Sequence, residues 1–366
     1  MSEVRSLVPG DIPAVARLFQ KTFRDGSAPS PALEDHLAEI FLQHPWQDPE
    51  LVSKVAAGAD GVTGFIGVLP ARMRFAGRTV RAAVAGSLMV EAPDADPTAG
   101  ARLVRSFVSG PQELSITETA NDLSRGLWDR LRGVTIPAGA FDWLKPLKPA
   151  GFLTALAAEV VPAFGPLRHL ARPVDAPLAA WFGRGARRPA PSRRGARAVA
   201  PAGPAEFAEA VLSLARSYAL APDWDQGSLS WFLGQSEHKD RFGPTVRRIV
   251  VEPRGAEIGA FVYHGRPRGI ARVLNLFASP GDEMRVVSAL IEEARAAGHA
   301  GLRGRGDPRL LDALARHNAI LFHRASLIVH SKDRALIDAI AAGDALVTGL
   351  AGETWARLVG DSVNKK

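Results

Sequence analysis

The most constraining feature of the chain is a run of three strand patterns between Leu51 and Val90 that feeds directly into a strand-loop-helix unit. LVSKVAA, VTGFIGVLPARMRF and TVRAAVAGSLMV are separated by Gly58 to Gly61 and by Ala76-Gly77-Arg78, turns too short for anything but hairpins, so these strands form an antiparallel meander. The apolar run Val84 to Val90 then enters a loop of Pro, Asp, Thr and Gly (Pro93 to Gly100), followed by Leu103, Val104, Phe107 and Val108 at helical spacing. A strand feeding a helix N-terminus collects unpaired N–H groups and the positive end of the helix dipole. Such a junction suits an anion, most often a phosphate.

The order of elements is legible on either side. VRSLV is a short strand, a helix follows over Ile12 to Phe23, and a second helix spans Ala32 to Leu42. Beyond the strand-loop-helix come SITETA, a helix to Gly133, and the strand patterns VTIP and AFDWLKPL, which are expected to close the first sheet. After residue 196 a similar order begins again. RAVA is a strand, Gly203 to Tyr218 and Gly227 to Gly234 are helices, and TVRRIVVE, EIGAFVYHG and GIARVLNLFA form a second meander. GDEMRVVSALIEEARAAG is a strong helix with Asp282 at its start, RLLDALARH is another helix, and ASLIVH, DRALIDAIAAG and ALVTGL are expected as strand, helix and strand. Arg303-Gly304-Arg305-Gly306 reads as a solvated turn, and Trp355 is expected to pack on the second half. Tyr218 and Tyr263 read as buried aromatics with one hydrogen bond each. The matching order implies an internal structural duplication. Three segments are expected: a domain over 1–150, a helical arm and Arg/Pro/Gly-rich linker over 151–195, and a domain over 196–366.

Composition narrows the chemistry. The 366 residues contain no cysteine, which removes disulfides, thiolate nucleophiles and Cys-ligated metal sites. The nine histidines form no metal-ligand spacing, so no metal is expected. There is no apolar stretch of about 20 residues and so no expected membrane span, and the N-terminus lacks a signal-peptide pattern, which points to the cytoplasm. Part of the net charge of +7 lies in six arginines between Arg184 and Arg197, read as an exposed linker with a polyanion-binding arm as the alternative.

Strand, two helices, a three-strand meander, then strand-loop-helix-strand-helix-strand resembles the GNAT superfamily of acyl-CoA-dependent N-acyltransferases, in particular bacterial proteins with two such domains in tandem. The resemblance implies an α/β (α+β) chain of two GNAT-like domains, each a mixed, mostly antiparallel twisted sheet flanked by helices. It also implies acetyl-CoA or another acyl-CoA as co-substrate, and a small-molecule or peptide amine as acceptor. The family's pyrophosphate loop, Q/R-x-x-G-x-G/A, falls on Asp96 to Arg102. One register puts Gly100 at the first glycine with Pro97 at the head and Arg102 in a small-residue slot. The other puts Ala99 and Ala101 in the small-residue slots with Asp96 at the head. Neither satisfies the pattern.

By the same resemblance the cofactor-binding residues are Met89, Val90, Thr98, Ala99, Gly100, Ala101, Arg102, Asn121 and Trp128. Asn121 matches the Asn that opens the family's next helix, and Trp128 stands where a tyrosine often protonates the leaving thiolate, a role indole cannot fill. Glu91 and Glu118, at the ends of the fourth and fifth strands, are the candidate catalytic bases. Two alternatives accompany the acyltransferase expectation: a catalytically silent GNAT-like binding protein, and a Fem-like transferase using aminoacyl-tRNA.

Overall fold

The computed structural model describes residues 2–24, 26–59, 61–160, 198–237, 239, 241–356 and 358. Its first half runs β1 (Glu3–Ser6), α1 (Ile12–Phe23), α2 (Pro31–Leu42), β2 (Lys54–Gly58), β3 (Gly61–Phe75), β4 (Arg78–Val90), α3 (Ala99–Val108), β5 (Leu114–Ala120), α4 (Asp122–Arg130), β6 (Val134–Ile136), β7 (Phe141–Pro146) and α5 (Pro149–Val160). Then come β8 (Ala198–Pro201), α6 (Pro204–Ala215), β9 (Leu220–Pro222), α7 (Gln226–Glu237), β10 (Thr245–Val251), β11 (Glu257–His264), β12 (Ile270–Ala278) and α8 (Glu283–Ala296). The chain continues through β13 (Gly301–Arg305), α9 (Leu311–Arg316), β14 (Ile320–His323), β15 (Ser326–Ser331) and α10 (Arg334–Ala341). The arginines of 184–197, and most of the expected arm and linker, lie outside the described residues.

Two compact units result. One comprises Met1–Ala140, Tyr218–Phe232 and Arg324–Lys366; the other comprises Phe141–Ser217 and Leu233–His323. The first holds a sheet of order β1-β2-β3-β4-β5-β15-β6, with β9 on β3, and only β4–β5 is parallel. That parallel pair is joined through α3, as a same-direction crossover requires. The β3–β4 hairpin closes on Ala76 (φ 49°) and Gly77 (φ 77°), both left-handed, as a two-residue turn matched to strand twist needs. Its core packs Ile66, Val68, Ala83 and Ala85 against Leu103, Phe107, Trp128 and Ile328.

The second unit repeats the plan. Its sheet runs β14-β7-β13-β12-β11-β10-β8, and only β12–β13 is parallel. Val286, Val287, Leu290 and Ile291 of α8 pack on Phe261, Tyr263 and Leu276 of the sheet. The structural duplication is thus present, with two GNAT-like sheets.

Where each sheet is closed differs from the sequence expectation. AFDWLKPL does not close the first sheet: β7 lies between β13 and β14, pairing Trp143 with Gly304 and with Leu321. The strand in ASLIVH instead lies between β5 and β6, with Val329 opposite both Ile116 and Val134. Each closing strand comes from the other half of the sequence, so linear boundaries at 150 and 196 do not coincide with the two units. The physical reason is side-chain fit: Ile328 buries against the first unit's core, and Trp143 against the second's. ALVTGL forms no strand; it makes an isolated bridge from Ala345 to Leu220 and a short 3-10 turn at Gly349–Ala351. Arg303 and Arg305 belong to β13 and pair with the buried Asp142, so this stretch is not a solvated turn. The Asp282 carboxylate bonds Arg285 rather than capping α8 with its side chain. The buried Tyr263 hydroxyl has no hydrogen-bond partner among the described residues, against the expectation of one.

Candidate active site

The parallel pair of the first unit opens partway along its length. β4 and β5 pair only at Ala82–Leu114, Ala83–Ser115 and Val84–Ile116. Three residues beyond Val84, Ser87 takes a left-handed backbone (φ 52°), and the β3–β4 register shifts by one residue across from it. A bulge of this kind bends a strand and ends its pairing on one side. Beyond it β4 keeps β3, through Phe65–Met89 and Gly64–Val90, while β5 keeps β15, through Thr117–Ile328 and Ala120–Ser326. Among the described residues, no strand lies between the facing edges of β4 and β5 past Val84 and Ile116.

The two faces of this opening are distinct. Val90 lies on the α3/α4 side: it packs with Leu103 and Leu127, and a Cβ at Gly100 would meet Leu127 and Val90 at ordinary contact distance, 3.5 and 3.7 Å. On the other side Phe65 meets Phe41 of α2 edge-on at 5.1 Å, and a Cβ at Gly67 would collide with that Phe41 ring. Met89, opposite Phe65, is fully buried.

At the head of α3 the loop is held by a polar knot. Asp96 accepts from the Ser2 hydroxyl (2.8 Å), the Thr98 hydroxyl (3.0 Å) and the Arg102 guanidinium (2.5 Å). Arg102 also donates to the Ser2 hydroxyl and carbonyl. These partners, the Ser2 hydroxyl foremost, hold the Asp96 carboxyl down to about 2. Arg102 is therefore spent within the loop, balancing Asp96. Thr98 is exposed, Ala99 is buried, Ala101 is half-buried, and the helix N-terminus itself supplies the positive potential at this end of the opening.

The other expected site residues take separate places. Asn121 caps α4, its side-chain oxygen accepting from the Ser124 N–H at 2.8 Å. Trp128 is buried against Phe107 at 5.8 Å in the core, and its indole supplies no acid at the position it shares with the family's tyrosine. Glu91, at the exposed end of β4, pairs with Lys21 at 3.2 Å. Glu118 is fully buried, and its carboxylate accepts three backbone N–H groups: Gly349 (3.0 Å), Glu353 (2.9 Å) and Thr354 (3.1 Å). That is the geometry of an anchor for the 349–354 segment, and it corrects the expectation of a base.

Sequence reasoning did not find what this anchor holds. The Glu353 carboxylate accepts from the Thr119 hydroxyl at 2.5 Å, and its other oxygen lies in the space where a Cβ of Gly86 would be. Gly86 pairs with Gly67, so both present the same face of the sheet, the α1/α2 side. Next to Glu353, Trp355 packs on Trp231 and Phe232, which come from the second half of the sequence but belong with it to the first unit, and on His44. His44, Trp46, Leu69, Val84, Phe232 and Trp355 are among the side chains around a cavity of only about 10 Å³. The His44 Nδ1 accepts the Trp46 N–H at 3.1 Å, its Nε2 is buried without a partner, and burial lowers its pKa to about 3. The one sequence signal for this site was Gly86-Ser87 inside a strand pattern, a known mark of a bulge.

A mixed sheet with one parallel pair, opened by a bulge and followed by a helix N-terminus, defines the GNAT fold, and both units are built on its plan. Solved structures agree. The chain matches a probable N-acyltransferase from Enterococcus faecalis V583 (TM-score 0.59, 9% identity, covering 90% of this chain and 73% of that one). It also matches GCN5-related N-acetyltransferases from Anabaena variabilis (TM-score 0.56, 12% identity, 91% and 74% covered) and from Kribbella flavida (TM-score 0.54, 14% identity, 91% and 72% covered). No family model and no curated protein matches the chain. At these identities the likeness establishes the fold. Among the described residues no helix is long and apolar enough to cross a membrane.

Proposed function

We propose that the protein is an acyl-CoA-dependent N-acyltransferase that carries acetyl-CoA or another acyl-CoA in the opening between β4 and β5. The observation that supports this most is the bulge at Ser87, which leaves one edge of β4 unpaired inside the sheet and directs it to the N-terminus of α3. An unpaired strand edge suits the extended, amide-bearing arm of coenzyme A, since amide groups there seek hydrogen-bond partners. The first-turn N–H groups of Gly100 and Ala101 in α3 suit the negative charge of a pyrophosphate, while the Ala99 N–H is bonded to the Asp96 carbonyl. With Arg102 neutralising Asp96, the loop offers these amides without a net negative charge from that pair. The acceptor is an amine of a small molecule or peptide, and transfer needs only its nitrogen held against the thioester carbonyl with a proton acceptor at hand.

The filled α1/α2 face, with about 10 Å³ free, favours a second reading: a GNAT-fold protein that binds without catalysis. The aminoacyl-tRNA reading pairs two GNAT-like units and a helical arm with a basic face, and the 184–197 arginines that would supply that face lie outside the described residues. Titration of the full chain with acetyl-CoA separates the first two. Ligand at a hundred times its Kd stabilises the native state by about 2.7 kcal/mol, readily seen as a rise in Tm. Binding heat together with that rise is the expected result; neither, at millimolar acetyl-CoA or a longer acyl-CoA, would sink the enzyme reading.

A further inference from the structure

We infer that Glu353, delivered by the clamped 349–354 segment, is the group that takes the proton from the acceptor amine; this rests on the acyltransferase reading above. Three observations converge on it. Glu353 lies at the point where β4 leaves β5, its carboxylate against Gly86, the residue before the bulge. It sits on the α1/α2 side, the side opposite α3, so a thioester lying along β4 from the α3 end has this carboxylate across from it. Its position is held at both ends: its own N–H and that of Thr354 bond the buried Glu118, and its side chain accepts from Thr119. A Cβ at Gly352 would also strike the Glu118 carboxylate, so the anchor and the segment fit as a pair. Glu118 is thus a positioning residue and Glu353 the catalytic one. The exposed Thr119 places the carboxylate one hydroxyl from solvent, a route for the proton to leave.

The step balances without further reactants. The amine lone pair forms a C–N bond at the thioester carbonyl carbon, and the C–S bond breaks with its electron pair leaving on sulfur. The proton lost from nitrogen passes to Glu353 and then to water, and the thiolate is protonated from water. 2-Phenylethylamine, a small primary amine of the acceptor class proposed above, serves as the probe acceptor.

The test uses the full chain with acetyl-CoA and this amine, following thiol release and, separately, acetyl-CoA binding by calorimetry. Glu353→Gln is expected to keep the wild-type Tm and an acetyl-CoA Kd within about twofold, while kcat falls about a hundredfold, the low end of what a general base contributes. Glu353→Ala, equally slow, is expected to regain rate with added formate, a rescue that a purely structural carboxylate would not show. Wild-type kcat in Glu353→Gln overturns the assignment. So does a wild-type protein that binds acetyl-CoA yet releases no thiol, which leaves the segment as a plug. Absence of acetyl-CoA binding in the wild type removes the acyltransferase reading itself and this assignment with it.

Discussion

The two units share one strand order, and each sets a glycine near the place where its parallel pair parts, beneath a different kind of side chain. In the first, the parallel pair parts after three residue pairs and a glycine, Gly86, leaves room for a carboxylate. In the second, β12 and β13 part after four pairs, and a glycine in the last of these pairs, Gly304 on β13, leaves room for the indole of Trp143. That indole is buried, donates to the Arg305 carbonyl at 3.0 Å, and belongs to a core with Leu276, Ala278, Leu302 and Leu310. The loop leading into the second unit's helix is also short, Ser279 to Asp282, with Asp282 paired to Arg285. The same backbone plan therefore yields a polar opening once and a packed core once.

Deleting each occupant's support should show this division most strongly. Trp143→Ala is expected to cost about 3–5 kcal/mol, as for large aromatic truncations in cores. Glu118→Ala strands three buried N–H groups and is expected to cost about 3 kcal/mol or more, while exposing the 349–356 segment to protease. Denaturant unfolding and limited proteolysis of both variants check this. Early cleavage after Trp143→Ala but not after Glu118→Ala at this segment would reverse the roles assigned to the two positions.

Acid should weaken both units through buried histidines. His44 in the first and His264 in the second are each held at about 3, below the usual 6.5, chiefly by burial, with the charges of Lys239 and Arg247 adding to the effect on His264. His330 and His299 are lowered in the same direction. A histidine kept neutral in the fold but free to protonate when unfolded contributes stability above its unfolded pKa, lost as pH falls from there toward the folded value. Between pH 6.5 and 5, before most carboxylates titrate, each of His44 and His264 should therefore cost up to about 1.4 kcal/mol per pH unit. Melting curves over that range, repeated on His44→Gln and His264→Gln, should show a shallower fall in each variant. An unchanged slope in either one removes that histidine from the account.

Much of the fold was legible because it rests on periodicity. The meander, the α1 and α2 faces, the helix over 283–296 and the duplication all follow from local apolar spacing, and Asn121 as a cap follows from its place before a helix. The closing strands were not legible. VTIP, AFDWLKPL and ASLIVH carry the same local signal, and which sheet takes which strand is decided by the fit of Trp143 to Gly304 and of Ile328 to the Phe107–Trp128 cluster, contacts about 160 and 200 residues apart in sequence. The site divides in the same manner. The helix head at Thr98 to Ala101 could be found from its flanks, whereas Glu353 could not, because nothing near it in sequence mentions Gly86. Glu118 was picked out for its position at a strand end, but burial and three amide donors give it a different task.

The smallest expected effects separate the two glycines most cleanly. At Gly304 a Cβ would press on the rigid indole of Trp143, so Gly304→Ala is expected to destabilise by about 1–3 kcal/mol, the range for overpacking a core. At Gly86 the obstacle is the far end of a flexible side chain, and Glu353 can turn aside at little energetic cost. Gly86→Ala should then change unfolding free energy by less than about 1 kcal/mol, the added side chain also restricting the unfolded chain. The same substitution moves the carboxylate away from the opening, so its effect should fall on thiol release rather than on stability. Parallel denaturation and rate measurements on the two variants test the contrast. A Gly86→Ala protein as damaged in stability as Gly304→Ala would mean that the first unit's opening is packed like the second's, with Glu353 as filling rather than as a reacting group.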